Sequence, residues 1–204
     1  MHSDYRVTID NESAVKIHVS KQTGPLTYET VWIFSLEGRA EPIVLNTFYT
    51  PEKFVVMDWN GFLRAFHAVT GEVIFTRDFA AQLDCRALVS RDGKKLYVSH
   101  NPDYRNPTLT VLSLKDFSQV AEHSLPKPID LEFFRERKDG SLLYYYKERG
   151  YSKNSAGGRD KIYSHGYQVV DPETGERVHF SFPFPPLSMF VEVSPVLDIC
   201  VFGR

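Results

Sequence analysis

Ser90-Arg91-Asp92-Gly93-Lys94-Lys95-Leu96-Tyr97-Val98 is followed later in the chain by Arg137-Lys138-Asp139-Gly140-Ser141-Leu142-Leu143-Tyr144-Tyr145, with Asp92 and Asp139 47 residues apart. Each stretch is a tight Asp-Gly turn leading into a β-branched and aromatic run. Each is followed some 25 to 35 residues on by a second kind of turn. Val69-Thr70-Gly71-Glu72-Val73 and Glu173-Thr174-Gly175-Glu176-Arg177-Val178 carry that second turn, and Lys115-Asp116-Phe117-Ser118-Gln119-Val120 is a degenerate copy. Setting Val73 against Val120 gives the same 47-residue step. A fixed period of roughly 40 to 50 residues built from short strands and tight turns marks a β-propeller array.

The repeat extends both ways. Val31-Trp32-Ile33-Phe34-Ser35-Leu36-Glu37-Gly38 matches the pattern of Leu109-Thr110-Val111-Leu112-Ser113-Leu114-Lys115-Asp116, and Ser194-Pro195-Val196-Leu197-Asp198-Ile199-Cys200-Val201 resembles the opening of another copy. The expected units run from about 13 to 45, 46 to 80, 84 to 126 and 128 to 184, with a partial one at 187–204, in one propeller-like domain over 1–204. The fold expected is all-β, with four-stranded antiparallel blades, about four complete and one partial. Phe54-Val55-Val56-Met57, Leu96-Tyr97-Val98 and Leu142-Leu143-Tyr144-Tyr145-Tyr146 read as the buried strands. The best helical candidate, Asp78-Phe79-Ala80-Ala81-Gln82-Leu83, is too short to stand alone and reads as a connection between blades.

The strand, Asp-Gly turn, strand, Thr-Gly-Glu turn pattern resembles the YVTN-type and quinoprotein-type repeats of bacterial β-propellers over about residues 30 to 202. It is less like the WD-repeat type, because Asp58-Trp59 has the reverse order of the Trp-Asp landmark and the Gly-His landmark is missing. The quinoprotein resemblance implies, at most, a quinone-cofactor enzyme. Its repeating tryptophan-docking signature is not evident, since the chain's tryptophans are Trp32 and Trp59.

Length sets a puzzle. At about 45 residues per blade, 204 residues make roughly four blades and a remnant, where closed propellers have 4 to 8. Three expectations follow: closure of four blades by a strand exchanged between the ends, an incomplete seven-bladed ring, or self-association through an open blade edge near Phe190, Val191 and Val201.

A net charge of −2 and a sequence pI near 6.4 give no electrostatic case for nucleic acid or an acidic membrane surface. There is no apolar run of membrane-spanning length. Met1 to Asp10 has neither a basic nor an apolar signal region, so the expected location is the cytoplasm, with Cys85 and Cys200 as buried reduced thiols. Phosphate-loop, dinucleotide, zinc-protease, Cys-x-x-Cys and nucleophile-elbow motifs are missing, and the seven histidines are scattered singly. No catalytic residue, metal ligand or cofactor is therefore assigned.

Two segments suggest binding. The first, Tyr151 to His165, stretches the fourth unit and reads either as a solvated hairpin extension or as a binding loop; its Gly, Ser and Asn content predicts mobility, and Tyr151, Lys153, Arg159, Lys161 and Tyr163 are groups that binding loops favour. The second, Ser99 to Pro107 with Tyr104 and Arg105, occupies a comparable place in the third unit. The favoured function is a non-catalytic scaffold that holds a protein or peptide partner on rim loops through Tyr104, Arg105, Tyr151, Lys153, Arg159 and His165. The alternative is an enzyme or small-ligand binder with a central-channel site drawing on Asp58, His67, Asp130 and Glu132.

Overall fold

The computed structural model describes residues 5–10, 15–36, 44–50, 52–58, 61–79, 83–101, 107–125, 130–153, 157–181, 190–193 and 200–203. Every regular element among them is a strand, and no helix among them is long and apolar enough to cross a membrane. The chain forms two compact units, Met1–Ala87 and Leu88–Arg204.

In the first unit, β1 (Tyr5–Asp10), β2 (Val15–Gln22) and β3 (Tyr28–Leu36) form a three-stranded antiparallel meander. It takes in β1, which lies ahead of the expected first repeat. A four-stranded sheet follows in sequential order, β4 (Val44–Tyr49), β5 (Lys53–Asp58), β6 (Phe62–His67) and β7 (Val73–Asp78). The next strand, β8 (Leu83–Val89), contains the division between the units and begins a four-stranded sheet with β9 (Lys95–Asn101), β10 (Thr108–Ser113) and β11 (Gln119–Ser124). The second unit continues with β12 (Asp130–Glu136), β13 (Leu142–Lys153), β14 (Arg159–Val170) and β15 (Arg177–Ser181), then the pair β16 (Phe190–Val193) and β17 (Cys200–Gly203).

The two turns of the repeat close by local hydrogen bonds. In the Asp-Gly turn, Asp92 Oδ1 accepts the Lys94 N–H at 3.0 Å, and Asp139 Oδ1 accepts the Ser141 N–H at 3.0 Å. In the Thr-Gly turn, the Gly71 N–H reaches the His67 carbonyl and the Gly175 N–H the Asp171 carbonyl, both at 2.9 Å, while each threonine hydroxyl accepts the N–H two residues on. The degenerate copy keeps the same bond, Phe117 N–H to Ser113 carbonyl at 2.8 Å, with Phe117 itself left-handed at φ 59°. Phe117 therefore stands where Gly71 and Gly175 stand. The true partner of Val73 is Gln119, since Phe66 pairs with Val73 and Leu112 with Gln119, so matching Val73 to Val120 was one residue out of register.

The inner strands are buried because each sheet face is covered by its neighbour within the unit. In the first unit, Ile17 and Val19 pack with Phe54, Val56 and Phe66, and Trp32 and Phe34 close over them, Phe34 meeting Phe66 edge-on at 4.7 Å. In the second, Tyr97, Leu109 and Val111 pack with Leu142, Tyr144 and Val170. Cys85 sits against Met57 at 3.9 Å, and burial, with the charge of Asp58 added, pushes its thiol up to about 12.

One joint occurs in both units. Trp32, on the last strand of the first sheet, lies against Gly71 of the next sheet's Thr-Gly turn and donates its Nε1–H to the Ala68 carbonyl at 2.9 Å. His123, on the last strand of its sheet, lies against Gly175 in the same way, its Nε2 at 3.0 Å from the Pro172 carbonyl. Ala68 and Pro172 each precede the turn glycine by three residues. A Cβ on Gly71 would come within 2.7 Å of the Trp32 ring, and one on Gly175 within 2.5 Å of His123 Nδ1.

Gly71→Ala and Gly175→Ala are therefore expected to destabilise by about 2–4 kcal/mol, combining left-handed strain with overpacking against the ring. Gly93→Ala and Gly140→Ala, left-handed but with open space around the added carbon, should cost only about 1–2 kcal/mol. Urea denaturation of the four variants checks the difference. Equal losses at all four sites would show that the ring contact contributes nothing.

Candidate functional site

Antiparallel sheets in sequential order put their first and third turns at one end and their second turn at the other. At the first end of the second unit, the turns after β8, β12 and β14 converge on a cavity of about 460 Å³. Its walls carry Asp92, Glu136, Asp139, Asp171 and Glu173 around Lys95 and Tyr97. Each of these carboxylates is engaged. The Ser90 hydroxyl and Lys94 N–H hold the Asp92 carboxyl below its ordinary value, the Ser141 hydroxyl does so for Asp139, and the backbone N–H groups of Thr174 and Glu173 for Asp171. Glu136 accepts from the Arg91 N–H and, at 3.3 Å, from the Tyr97 hydroxyl. Burial, followed by the charge of Glu136 and their hydrogen bond, pushes the Tyr97 phenol upward. Glu173 pairs with Lys95. The cavity is a polar seam fastening one sheet to the next, and no three His, Cys, Asp or Glu among the described residues are placed to hold a metal ion.

At the other end lie the second turns, and here the fourth sheet departs from the third. The third sheet's second connection runs from Asn101 to Thr108, whereas β13 and β14 are 12 residues each and pair throughout, from Leu142↔Val170 to Lys153↔Arg159. Of the two readings of this segment, the hairpin extension is the one the pairing supports: Tyr151 and Lys153 belong to β13, and Arg159 and His165 to β14. Cross-strand pairing rather than composition fixes these residues, and 154–156 lie outside the described residues. The structure brings Tyr151, Lys153, Arg159 and His165 into one hairpin; Tyr104 and Arg105 lie outside the described residues.

Sequence reasoning missed the register: among the described residues β12 pairs with β13 out to Asp130↔Lys147, and β15 with β14 out to Ser181↔Gly166. Beyond those rows, 148–153 pairs with 159–164 and no other described strand flanks the two. Periodicity within 147–165 was the available signal. It is hard to read without the register.

The channel candidates in the first unit do not converge. Asp58 ends β5 beside the turn into β6, where it accepts the Phe62 N–H at 3.0 Å and pairs with Arg64 at 3.5 Å. His67 ends β6 at the opposite end of the same hairpin, opposite Lys53. In the second unit, Asp130 faces Lys147 in register, and Glu132 falls at the bulge between Leu131 and Phe133.

No protein-family model matches this chain. No curated protein matches it either. Solved structures do. The chain is similar to KlAtg21 in its complex with the coiled-coil of AgAtg16, with a TM-score of 0.62 at 11% identity over 98% of this chain and 61% of that one. It is similar to the β-propeller domain of Cps50 (Swd1) from Myceliophteria thermophila, with a TM-score of 0.57 at 11% identity over 91% and 59%. It is also similar to the quinohemoprotein alcohol dehydrogenase from Comamonas testosteroni, with a TM-score of 0.56 at 13% identity over 96% and 37%. The chain has a β-propeller fold. It spans less than two thirds of the length of each of these chains.

Two outcomes are expected. The Asp92, Asp139 and Asp171 carboxyls lie below their unfolded value of about 3.9, so the stability they add is present above that value and is lost as pH falls through their folded values. Chemical denaturation should show stability dropping below about pH 4, and replacing all three by Asn should flatten that drop. For Cys85, still a thiol at pH 8, a thiol reagent followed by peptide mapping should label it only as fast as the protein opens.

Proposed function

We propose that this chain is a non-catalytic propeller scaffold, of the YVTN or quinoprotein repeat type, that holds a protein or peptide partner on the rim carrying the second turns of its sheets. The observation that carries this reading is the β13–β14 hairpin, which continues past the sheet and collects Tyr151, Lys153, Arg159 and His165. Folding energy does not explain the extension. An isolated two-stranded ribbon is marginal in water, so residues spent on one are residues spent on something it touches.

The rest of the molecule supports the same reading. The carboxylates of the opposite end are engaged in turns and in the seam between sheets, and Asp58 and His67 sit at opposite ends of their hairpin. Tyr104 and Arg105 belong to the corresponding connection of the third sheet and are proposed to contribute to the same rim. KlAtg21, to which the chain is similar, is in complex with the coiled-coil of AgAtg16, the kind of partnership proposed here. A cytoplasmic setting is part of this proposal, in keeping with Cys85 as a free, buried thiol.

Shortening the hairpin by replacing 148–165 with an Asn-Gly turn tests this. Partner proteins co-purifying with the tagged chain from its own cells should be lost, with the melting temperature within about 2 °C of the parent, because the ribbon adds little to the packed core. Retention of the full set of partners by the shortened chain would overturn the reading.

A further inference from the structure

The register of the ribbon places its residues in a pattern that composition conceals. Cross-strand partners share a face, and alternate residues along each strand return to that face. One face therefore carries the rows Lys147·His165, Arg149·Tyr163, Tyr151·Lys161 and Lys153·Arg159. All eight positions are cationic, histidine or tyrosine. The opposite face of the same stretch carries Glu148·Ser164, Gly150·Ile162 and Ser152·Asp160. The cationic face runs on at its root into Tyr145·Tyr167, and its carboxylate is Asp130, in register with Lys147. Five lysines and arginines thus occupy one side of one hairpin in a chain whose net charge is −2.

We infer that this face is a docking surface for an acidic, extended polypeptide segment, an assignment that rests on the rim-binding reading above and names its partner's chemistry. Three arguments converge on it. Like charges placed opposite one another in a sheet, as Lys153 and Arg159 are, cost stability, and an anionic occupant turns that cost into binding energy. Rows on one face recur about every 6.8 Å, the spacing of alternate side chains in an extended peptide, so a carboxylate at every second residue meets a cation in each row. Finally, no strand among the described residues flanks 148–153 or 159–165, and the inferred segment is placed there as an added strand. Tyr151 and Tyr163 add contact area between the charges.

Edge pairing favours a polypeptide over a nucleic acid, because it recognises peptide backbone.

The test uses the full chain and a fluorescein-labelled peptide of about ten residues alternating Glu and Thr, followed by fluorescence anisotropy at low salt. Binding is expected to weaken about tenfold or more when Lys153→Glu and Arg159→Glu are combined, and to weaken as salt approaches about 0.3 M. Lys153→Gln with Arg159→Gln, which removes the repulsion as well as the charge, should weaken binding while leaving the melting temperature unchanged or higher. On binding, amide hydrogen exchange should slow along 148–153 or 159–165. A peptide of the same composition with its glutamates in one block should bind more weakly. Absence of binding, or binding indifferent to the charge reversals, overturns the assignment. Tighter binding of a single-stranded oligonucleotide at equal salt overturns it in favour of nucleic acid. If the hairpin-shortened chain loses its partners yet the Glu-Thr peptide does not bind, the acidic chemistry falls and the rim reading stands; if the shortened chain keeps its partners, both fall.

Discussion

The contact on which this architecture depends is an aromatic ring laid against a glycine. A sheet of four short strands cannot bury both faces by itself, so each must be locked to the next at a defined angle and height. Trp32 and His123 do this from the outer strand of one sheet to the Thr-Gly turn of the following one, each with a ring nitrogen at the carbonyl three residues before the glycine. The turn needs a left-handed residue for its own hydrogen bonding, and the ring needs a residue without a side chain. Glycine satisfies both, so turn geometry and blade docking are fixed by one position.

Around that joint the core follows from alternation. Strands such as Lys53–Asp58 and Lys95–Asn101 bury nearly every residue because both of their faces are covered. The outermost strands Val73–Asp78 and Gln119–Ser124 are exposed at most positions. Where the turn degenerates, Phe117 keeps the left-handed backbone and is itself buried, so the copy survives at a conformational cost that the burial of its ring offsets. The two ends of the second unit have thereby divided their roles. One end holds its carboxylates in turns and in the seam between sheets, and toward the other β13 and β14 pair over 12 residues each.

The repeat and the β class were legible in the chain itself because they are local: Asp92-Gly93, Thr70-Gly71 and the apolar runs between them speak through hydrogen bonds only a few residues long. Even the tyrosines and cations of the ribbon were visible as a cluster. What could not be read was Trp32 as a docking residue, since one tryptophan makes no repeating signature and its counterpart in the second unit is a histidine. The register of the ribbon, too, could not be read, although its hairpin could.

The sequence by itself determined the strands, the turns and the period, all set by interactions within a hairpin. Only the tertiary structure decided which residues share a face, because a one-residue change of register would carry Lys147, Arg149, Tyr151 and Lys153 away from His165, Tyr163, Lys161 and Arg159. Composition is indifferent to that choice. Pairing between strands makes it, and with it the charged face.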